Sequence, residues 1–186
     1  MEKWVKIAQK VTVFITIISY ALLAVYAFGM STPAAALHQY QDTINFYQNI
    51  QPYNDIIVYF AIIGVVLSLL YRVLRNNVRN VYYVSNWVWS LAYVIFSVFA
   101  GIQTLLYVAF YKKLYMAVDF TTINAYFAST TPGVSVDPNT PVFLLGYLVS
   151  ILIILSTVPV LFVTIEKAIV QIKKAKSASS LQEEKQ

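Results

Sequence analysis

Three arginines at helical spacing are the residues of this sequence that most clearly could bind a ligand. Arg72, Arg75 and Arg79 recur at i, i+3 and i+7, so a helix would carry all three on one face. Guanidinium groups pair with phosphate and carboxylate groups. We therefore identify this basic face as a candidate contact for anionic lipid head groups on the cytoplasmic side of a membrane. An acidic surface of a cytoplasmic partner protein is the alternative.

A second pattern consists of small and hydroxyl-bearing residues that share a helix face. Placed at 100° per residue, the members on each of two helices fall within about 60° of one another. Such faces allow helices to approach closely inside a membrane, and we interpret them as the packing face of a bundle. The lining of a hydrated path is the alternative. The residues are Asn86, Ser90, Ser97, Gly101 and Thr104 on one helix, and Gly146, Ser150 and Thr157 on another.

Gln103 does not fit this pattern, because it lies on roughly the opposite face from the small residues of its own helix. Lipid is expected at that position, and an unpaired amide in hydrocarbon is costly. The amide should therefore find a hydrogen-bond partner. A neighbouring helix of the same chain and another subunit are both open, and we include Gln103 among the candidate partner contacts.

Catalytic chemistry is not indicated by this sequence. The chain has no cysteine, which excludes disulfides, thiolate metal sites and cysteine nucleophiles. Aspartate, glutamate, histidine, lysine and arginine are missing from the middle of every apolar stretch, where an intramembrane enzyme or a proton-coupled pump would need them. We expect no enzymatic activity, no metal ion and no cofactor.

Long uncharged stretches must position all of these residues. The sequence has no charged side chain over 11–41, 56–71, 80–111 and 138–165, and the composition is 59% hydrophobic and 11% charged, against about 25% charged in soluble domains. A charged side chain at the centre of a membrane helix costs about 2.5–3.5 kcal/mol. The pattern predicts an all-α membrane protein, a four-transmembrane-helix bundle with spans at about 6–30, 55–74, 81–111 and 141–165.

The basic residues set the orientation of the predicted spans. All lysines and arginines except Lys112 and Lys113 fall on one side of the membrane, which predicts that both termini are cytoplasmic. This arrangement also explains the net charge of +5 without nucleic-acid binding. Outer loops that lack cystine and glycosylation sequons favour a bacterial plasma membrane. The four spans fill one domain over 1–176, and 177–186 form a polar cytoplasmic tail.

Both outer loops are predicted to contain a short amphipathic helix. The first begins near Pro33 and is ended by Pro52, after which Asn54 and Asp55 cap the second span. The second covers 120–128 with Asp119 as its N-cap.

The predicted function is that of a non-catalytic accessory or structural subunit of a larger membrane complex, such as a transporter. Its expected partners are other membrane-protein subunits and the lipid bilayer. The alternative is a small oligomeric channel or facilitator for ions or small solutes, which would use the hydroxyl-bearing faces as its lining.

Overall fold

The computed structural model of the protein describes residues 2–31, 40–76, 84–130, 133, 135–136 and 141–183, and every regular element in these ranges is a helix. Four of the helices are long and apolar enough to cross a membrane, which is consistent with a multi-pass membrane protein and agrees with the number of long apolar helices predicted. The helices are α1 (Glu2–Gly29), α2 (Gln41–Asn76), α3 (Val84–Tyr115), α4 (Phe120–Thr130) and α5 (Val142–Glu183).

The four long helices form one bundle in which α1 and α3 occupy diagonal positions. Each of these two helices packs against both α2 and α5. Side-chain pairs show that α1 and α3 run in the same direction, because Thr16 meets Tyr93 and Tyr20 meets Ser97, one turn further along both helices. Helix α2 runs the opposite way, since its Asn54 lies beside Ala27 and its Gly64 beside Tyr20.

The predicted end of the first outer helix at Pro52 is wrong, because α2 continues through Pro52 without a break. Its predicted start near Pro33 lies outside the described residues. A proline inside a helix removes one backbone hydrogen bond and costs about 3 kcal/mol. A buried stripe that passes through this point outweighs the loss, since tertiary packing supplies most helical stability. Its members are Phe46, Ile50, Asn54 and Ile57, all at most 3% exposed, whereas Pro52 itself faces outward.

Asn54 does not cap the second span as predicted. It lies inside α2 and donates hydrogen bonds to groups at the end of α1. Its Nδ2 donates to the carbonyl oxygen of Ala27 at 2.7 Å and to Oγ of Ser31 at 3.0 Å. The last carbonyl groups of a helix have no partner within that helix. Asn54 therefore caps the C-terminal end of α1 and fixes where α2 passes it.

The helix predicted at 120–128 is present as α4, and its predicted cap is confirmed. Oδ1 of Asp119 accepts hydrogen bonds from the backbone N–H groups of Thr121 at 3.0 Å and Thr122 at 3.3 Å. Asn124 then ties the following loop to α4, because its amide both accepts from and donates to the backbone of Val136. Ile123 and Phe127 are buried beneath the helix.

Large apolar side chains cover the outside of the bundle. Phe14, Tyr59, Ile95 and Phe162 are each more than 60% exposed, and they come from four different helices. Apolar exposure on every side is unusual for a soluble monomer and is the expected surface of a bundle surrounded by hydrocarbon.

The Asp119 cap should make the start of α4 sensitive to acid. Hydrogen bonds from Thr122, from its hydroxyl above all, lower the pKa of the Asp119 carboxyl. Because the folded value lies below the unfolded one, the stabilisation is complete above the ordinary pKa of about 3.9 and is lost as the pH falls through the lower folded value. Hydrogen-exchange protection factors of the Thr121 and Thr122 amides should show this loss.

The matched control for this experiment is Asp119→Asn, which keeps a side-chain oxygen at the cap but cannot titrate in this range. Its protection factors should not respond to acid between pH 6 and the point where the whole bundle unfolds. An identical acid response in both proteins would show that Asp119 is not the titrating group.

Candidate functional site

The small and hydroxyl-bearing residues predicted to share a face lie in the interior of the bundle wherever their side chains are described. Ser97, Thr104 and Ser150 are fully buried, and the others are at most 4% exposed or classed as buried glycines. The side chain of Asn86 lies outside the described residues. The set with described side chains is Ser90, Ser97, Gly101, Thr104, Gly146, Ser150 and Thr157.

Glycines in this interior are points of close helix approach. A Cβ atom on Gly101 would lie 2.5 Å from the side chain of Ile154, and one on Gly146 would lie 2.8 Å from Val108. A Cβ on Gly64 would overlap the ring of Tyr20. Each missing side chain thus makes room for a bulky residue of a neighbouring helix, as expected between membrane helices.

Two reciprocal hydrogen bonds cross the centre of the bundle and join the diagonal helices. The Tyr20 hydroxyl donates to Oγ of Ser97 at 2.9 Å, and the Tyr93 hydroxyl donates to Oγ1 of Thr16 at 2.9 Å. Each helix contributes one tyrosine and one smaller hydroxyl, four residues apart. We call Thr16, Tyr20, Tyr93 and Ser97 the diagonal clasp.

Side chains from the remaining two long helices pack against the clasp. Tyr71 on α2 and Val160 on α5 belong to the same buried cluster as Tyr93. The ring of Tyr71 stacks on that of Tyr93, with centroids 5.4 Å apart and planes 18° from parallel. All four long helices therefore meet at the clasp.

Other buried hydroxyls bond within their own helices instead of across interfaces. Ser68 donates to the carbonyl oxygen of Gly64, Thr104 to that of Ala100 and Ser150 to that of Gly146, each at 2.7 Å. None of these three hydroxyls donates across a helix interface. A hydroxyl that bonds its own backbone is not directed into a path between helices.

The clasp can hold helices in register. Among the described residues, the hydrogen bonds of its hydroxyls are to other hydroxyls and to a backbone carbonyl group. Within the ranges that the structure describes, no three histidine, aspartate or glutamate side chains are grouped closely enough to hold a metal ion.

Gln103 lies on the outer surface of α3 and is half-buried. Among the described residues its amide donates and accepts no hydrogen bond, and its polar atoms are not enclosed by the protein. The internal partner that was one of the two expectations is therefore not found in this part of the chain. The packing face and Gln103 point in different directions, and the structure does not bring them together.

The basic face cannot be placed. Arg79 and the side chains of Arg72 and Arg75 lie outside the described residues, although the backbone of α2 includes the first two of these arginines. The lipid or protein contact predicted for them stays a prediction.

The sequence analysis did not single out Tyr20 and Tyr93 of the clasp, because it considered only small and hydroxyl-bearing residues other than tyrosine on the helix faces. A signal was present in the spacing. Thr16 precedes Tyr20 by four residues, and Tyr93 precedes Ser97 by four, so each pair occupies one helix face. Ser97 was already placed on the predicted packing face, which put Tyr93 there as well.

The clasp should contribute measurably to stability, and a double-mutant cycle isolates it. Tyr20→Phe and Ser97→Ala each remove one side of the bond without adding a new group. Interhelical hydrogen bonds in membrane proteins average about 0.6 kcal/mol and reach about 1.7 kcal/mol. We expect a coupling free energy in this range from unfolding of the purified protein in mixed detergent and SDS.

The matched control is Tyr59→Phe, which removes a tyrosine hydroxyl from a side chain that is 63% exposed on the outside of α2. This change should leave the unfolding free energy nearly unaltered. Strictly additive effects of Tyr20→Phe and Ser97→Ala would mean that the two hydroxyls do not interact.

Comparison with known proteins does not assign a family to this bundle. We found no protein-family model, no curated protein sequence and no solved structure that is significantly similar to the chain. Its function must therefore be argued from the bundle, the clasp and the outward position of Gln103.

Proposed function

We propose that the protein is a non-catalytic, multi-pass membrane protein that acts as an accessory or structural subunit of a larger membrane complex, such as a transporter. The proposal places it in a bacterial plasma membrane with both termini in the cytoplasm. Four helices of sufficient length and apolar character support the membrane location. The distribution of lysine and arginine supports the orientation.

One observation carries the choice of a subunit over a channel, namely that the axis of the bundle is filled. Tyr20, Tyr93 and Tyr111 are each 0% exposed, and they come from the two diagonal helices. Ile153 of α5 and Ile57 of α2 are also completely buried. In the described part of the bundle, side chains of this size fill the axis, which supports a subunit over a channel formed by a single copy.

The hydrogen bonds of the buried hydroxyls also favour a subunit over a channel. A hydrated path needs hydroxyls that point into it, whereas those of Ser150, Thr104 and Ser68 are used by backbone carbonyl groups. The outward faces of α1 and α5 are apolar, so an assembly of several copies through them would not create a polar channel either. A protein with a closed interior is suited to contact through its surface.

Two surfaces are candidates for such contacts. Gln103 offers an unpaired amide at the depth of the hydrocarbon, where another membrane helix could pair with it. Arg72, Arg75 and Arg79 offer a basic face for anionic lipids, at about 1 kcal/mol per charge, or for an acidic protein surface.

Orientation can be tested with single cysteines, because the natural chain has none. Asn45→Cys lies on an exposed part of α2 that should face the outside of the cell, and Ile172→Cys lies on the exposed part of α5 that should face the cytoplasm. A membrane-impermeant thiol reagent added to intact cells should label the first and not the second. Both cysteines should react after the cells are opened, which shows that neither is protected by burial within the protein.

The subunit role predicts a stable partner in native membranes. Purification of the protein from its own cells in a mild detergent, followed by mass spectrometry, should recover at least one other membrane polypeptide in a fixed ratio to it. A parallel purification from cells that lack this protein identifies the polypeptides that are recovered nonspecifically. Recovery of this chain alone, monodisperse and stable, would contradict the proposal, and solute flux through the reconstituted protein would replace it with the channel alternative.

A further inference from the structure

The Tyr26 hydroxyl is buried in the bundle without a hydrogen-bond partner among the described residues. The side chain of Tyr26 is only 2% exposed. A Cβ atom on Gly146 would lie 2.9 Å from Cζ of Tyr26, the ring atom that bears this hydroxyl, so the hydroxyl end of the ring packs against α5. Such a hydroxyl is costly, because folding removes it from water and returns no hydrogen bond.

Two more polar groups near Tyr26 are poorly paired. Oδ1 of Asn54, whose amide nitrogen binds the carbonyl oxygen of Ala27, is also enclosed without a partner among the described residues. The Tyr111 hydroxyl donates to the carbonyl oxygen of Ile50 at 3.5 Å, whereas hydroxyl hydrogen bonds are usually about 2.8 Å long. The hydrogen bonds of the clasp, by contrast, are 2.9 Å long. We call the part of the bundle around Tyr26, Asn54 and Tyr111 the Tyr26 end.

A water molecule cannot supply the missing bond while the helices keep these positions. The oxygen atoms of Tyr26 and Asn54 have almost no surface that a water molecule could touch. Water pairs with a buried polar group only where there is room for it. The Tyr26 hydroxyl can therefore gain a partner only if the side chains and helices around it move.

Helix α5, which packs on the Tyr26 ring, contains an interruption in its hydrogen bonding. Pro159 lies inside α5 and has no N–H group to donate to the carbonyl oxygen of Leu155. Just before it, the hydroxyls of Ser156 and Thr157 donate to carbonyl groups three residues back along the helix. Interruptions of this kind are where helices bend.

The interruption lies beside the clasp, whereas Gly146 lies at the Tyr26 end. Val160, the residue after Pro159, belongs to the same buried cluster as Tyr93 of the clasp. Gly146 is about 20 Å away from Pro159 along the helix axis. A bend at Pro159 would therefore move the half of α5 that covers Tyr26 and leave the other half packed on the clasp.

We propose that the Tyr26 end opens to water when the first half of α5, residues 142–158, swings away from the bundle about Pro159. Water then pairs with the Tyr26 hydroxyl, which offsets part of the lost packing. The clasp stays paired, so water enters from one end only and no path crosses the bundle. This motion belongs to a single chain and depends on the proposed function only for insertion in a bilayer.

Single cysteines on either side of Pro159 test the opening. Val149→Cys lies in the half that moves and Val160→Cys in the half that stays, and the native valines are 1% and 0% exposed. The purified chain in lipid nanodiscs, which leave both faces of the bilayer accessible, is treated with a charged methanethiosulfonate reagent. Val149→Cys should be labelled while Val160→Cys is not, and both should react after unfolding in SDS. Equal labelling rates before unfolding would overturn the proposal.

Removal of a single hydroxyl tests what drives the opening. Tyr26→Phe in the Val149→Cys background removes the unpaired hydroxyl, so the closed form is favoured and labelling should slow about tenfold. The matched control is Tyr20→Phe, because both tyrosines are buried on α1 but the Tyr20 hydroxyl is paired in the clasp. The control should not slow labelling. In SDS unfolding, Tyr26→Phe should raise the midpoint and Tyr20→Phe should lower it, which shows that both proteins fold.

Pro159→Ala tests the place of the bend, because alanine restores the hydrogen bond to the carbonyl oxygen of Leu155. This change should also slow the labelling of Val149→Cys, and an unchanged rate would mean that the motion does not use Pro159. If Tyr26→Phe slows labelling no more than Tyr20→Phe does, the unpaired hydroxyl does not drive the opening and the proposal fails. Failure of the subunit role in native purification would leave these rates unaffected, because they are measured on the purified chain alone.

Discussion

In the bilayer that we propose for this protein, hydrocarbon offers no water, so each buried polar group depends on a partner inside the protein. The hydroxyls in the interior of this bundle meet the requirement in two main ways. Ser68, Thr104 and Ser150 bond to carbonyl groups of their own helices, and Tyr20 and Tyr93 bond to hydroxyls on the opposite helix. The Tyr26 hydroxyl and Oδ1 of Asn54 are exceptions, because they are buried without a hydrogen-bond partner among the described residues. The first way leaves the interface free for close packing, and the second sets the position of one helix against another.

The diagonal clasp does what apolar packing between membrane helices cannot do alone. Lipid tails are as apolar as leucine, so apolar contact between helices has little preference for one register over another. A shift of one residue along α1 would rotate Tyr20 by about 100° and move it about 1.5 Å. Both clasp bonds would then break and leave their hydroxyls unpaired. Gly64 completes the arrangement, because a side chain there would occupy the space of the Tyr20 ring.

Local signals in the sequence were sufficient to predict the long apolar helices and the cap of α4. Contacts between helices could not be predicted from such signals. Asp119 caps α4 through residues that follow it directly, so its role could be predicted from neighbours in the sequence. Pro52 was expected to end a helix by the same local reasoning. That expectation failed because the stripe through Ile50 and Asn54 is buried against other helices, which no local pattern reveals. The bonding of Asn54 to α1 was out of reach for the same reason.

The predicted packing face and Gln103 show what kind of inference a membrane sequence supports. In a soluble protein a polar residue on the outside carries little information, since water accepts it anywhere. In hydrocarbon the outside of a helix is as unfavourable for an unpaired amide as the inside. Polar groups in the interior, such as those of the clasp, therefore report how one chain folds. A polar group on the outside is a candidate contact for another molecule, and our proposal uses Gln103 in this way because its amide has no hydrogen-bond partner among the described residues.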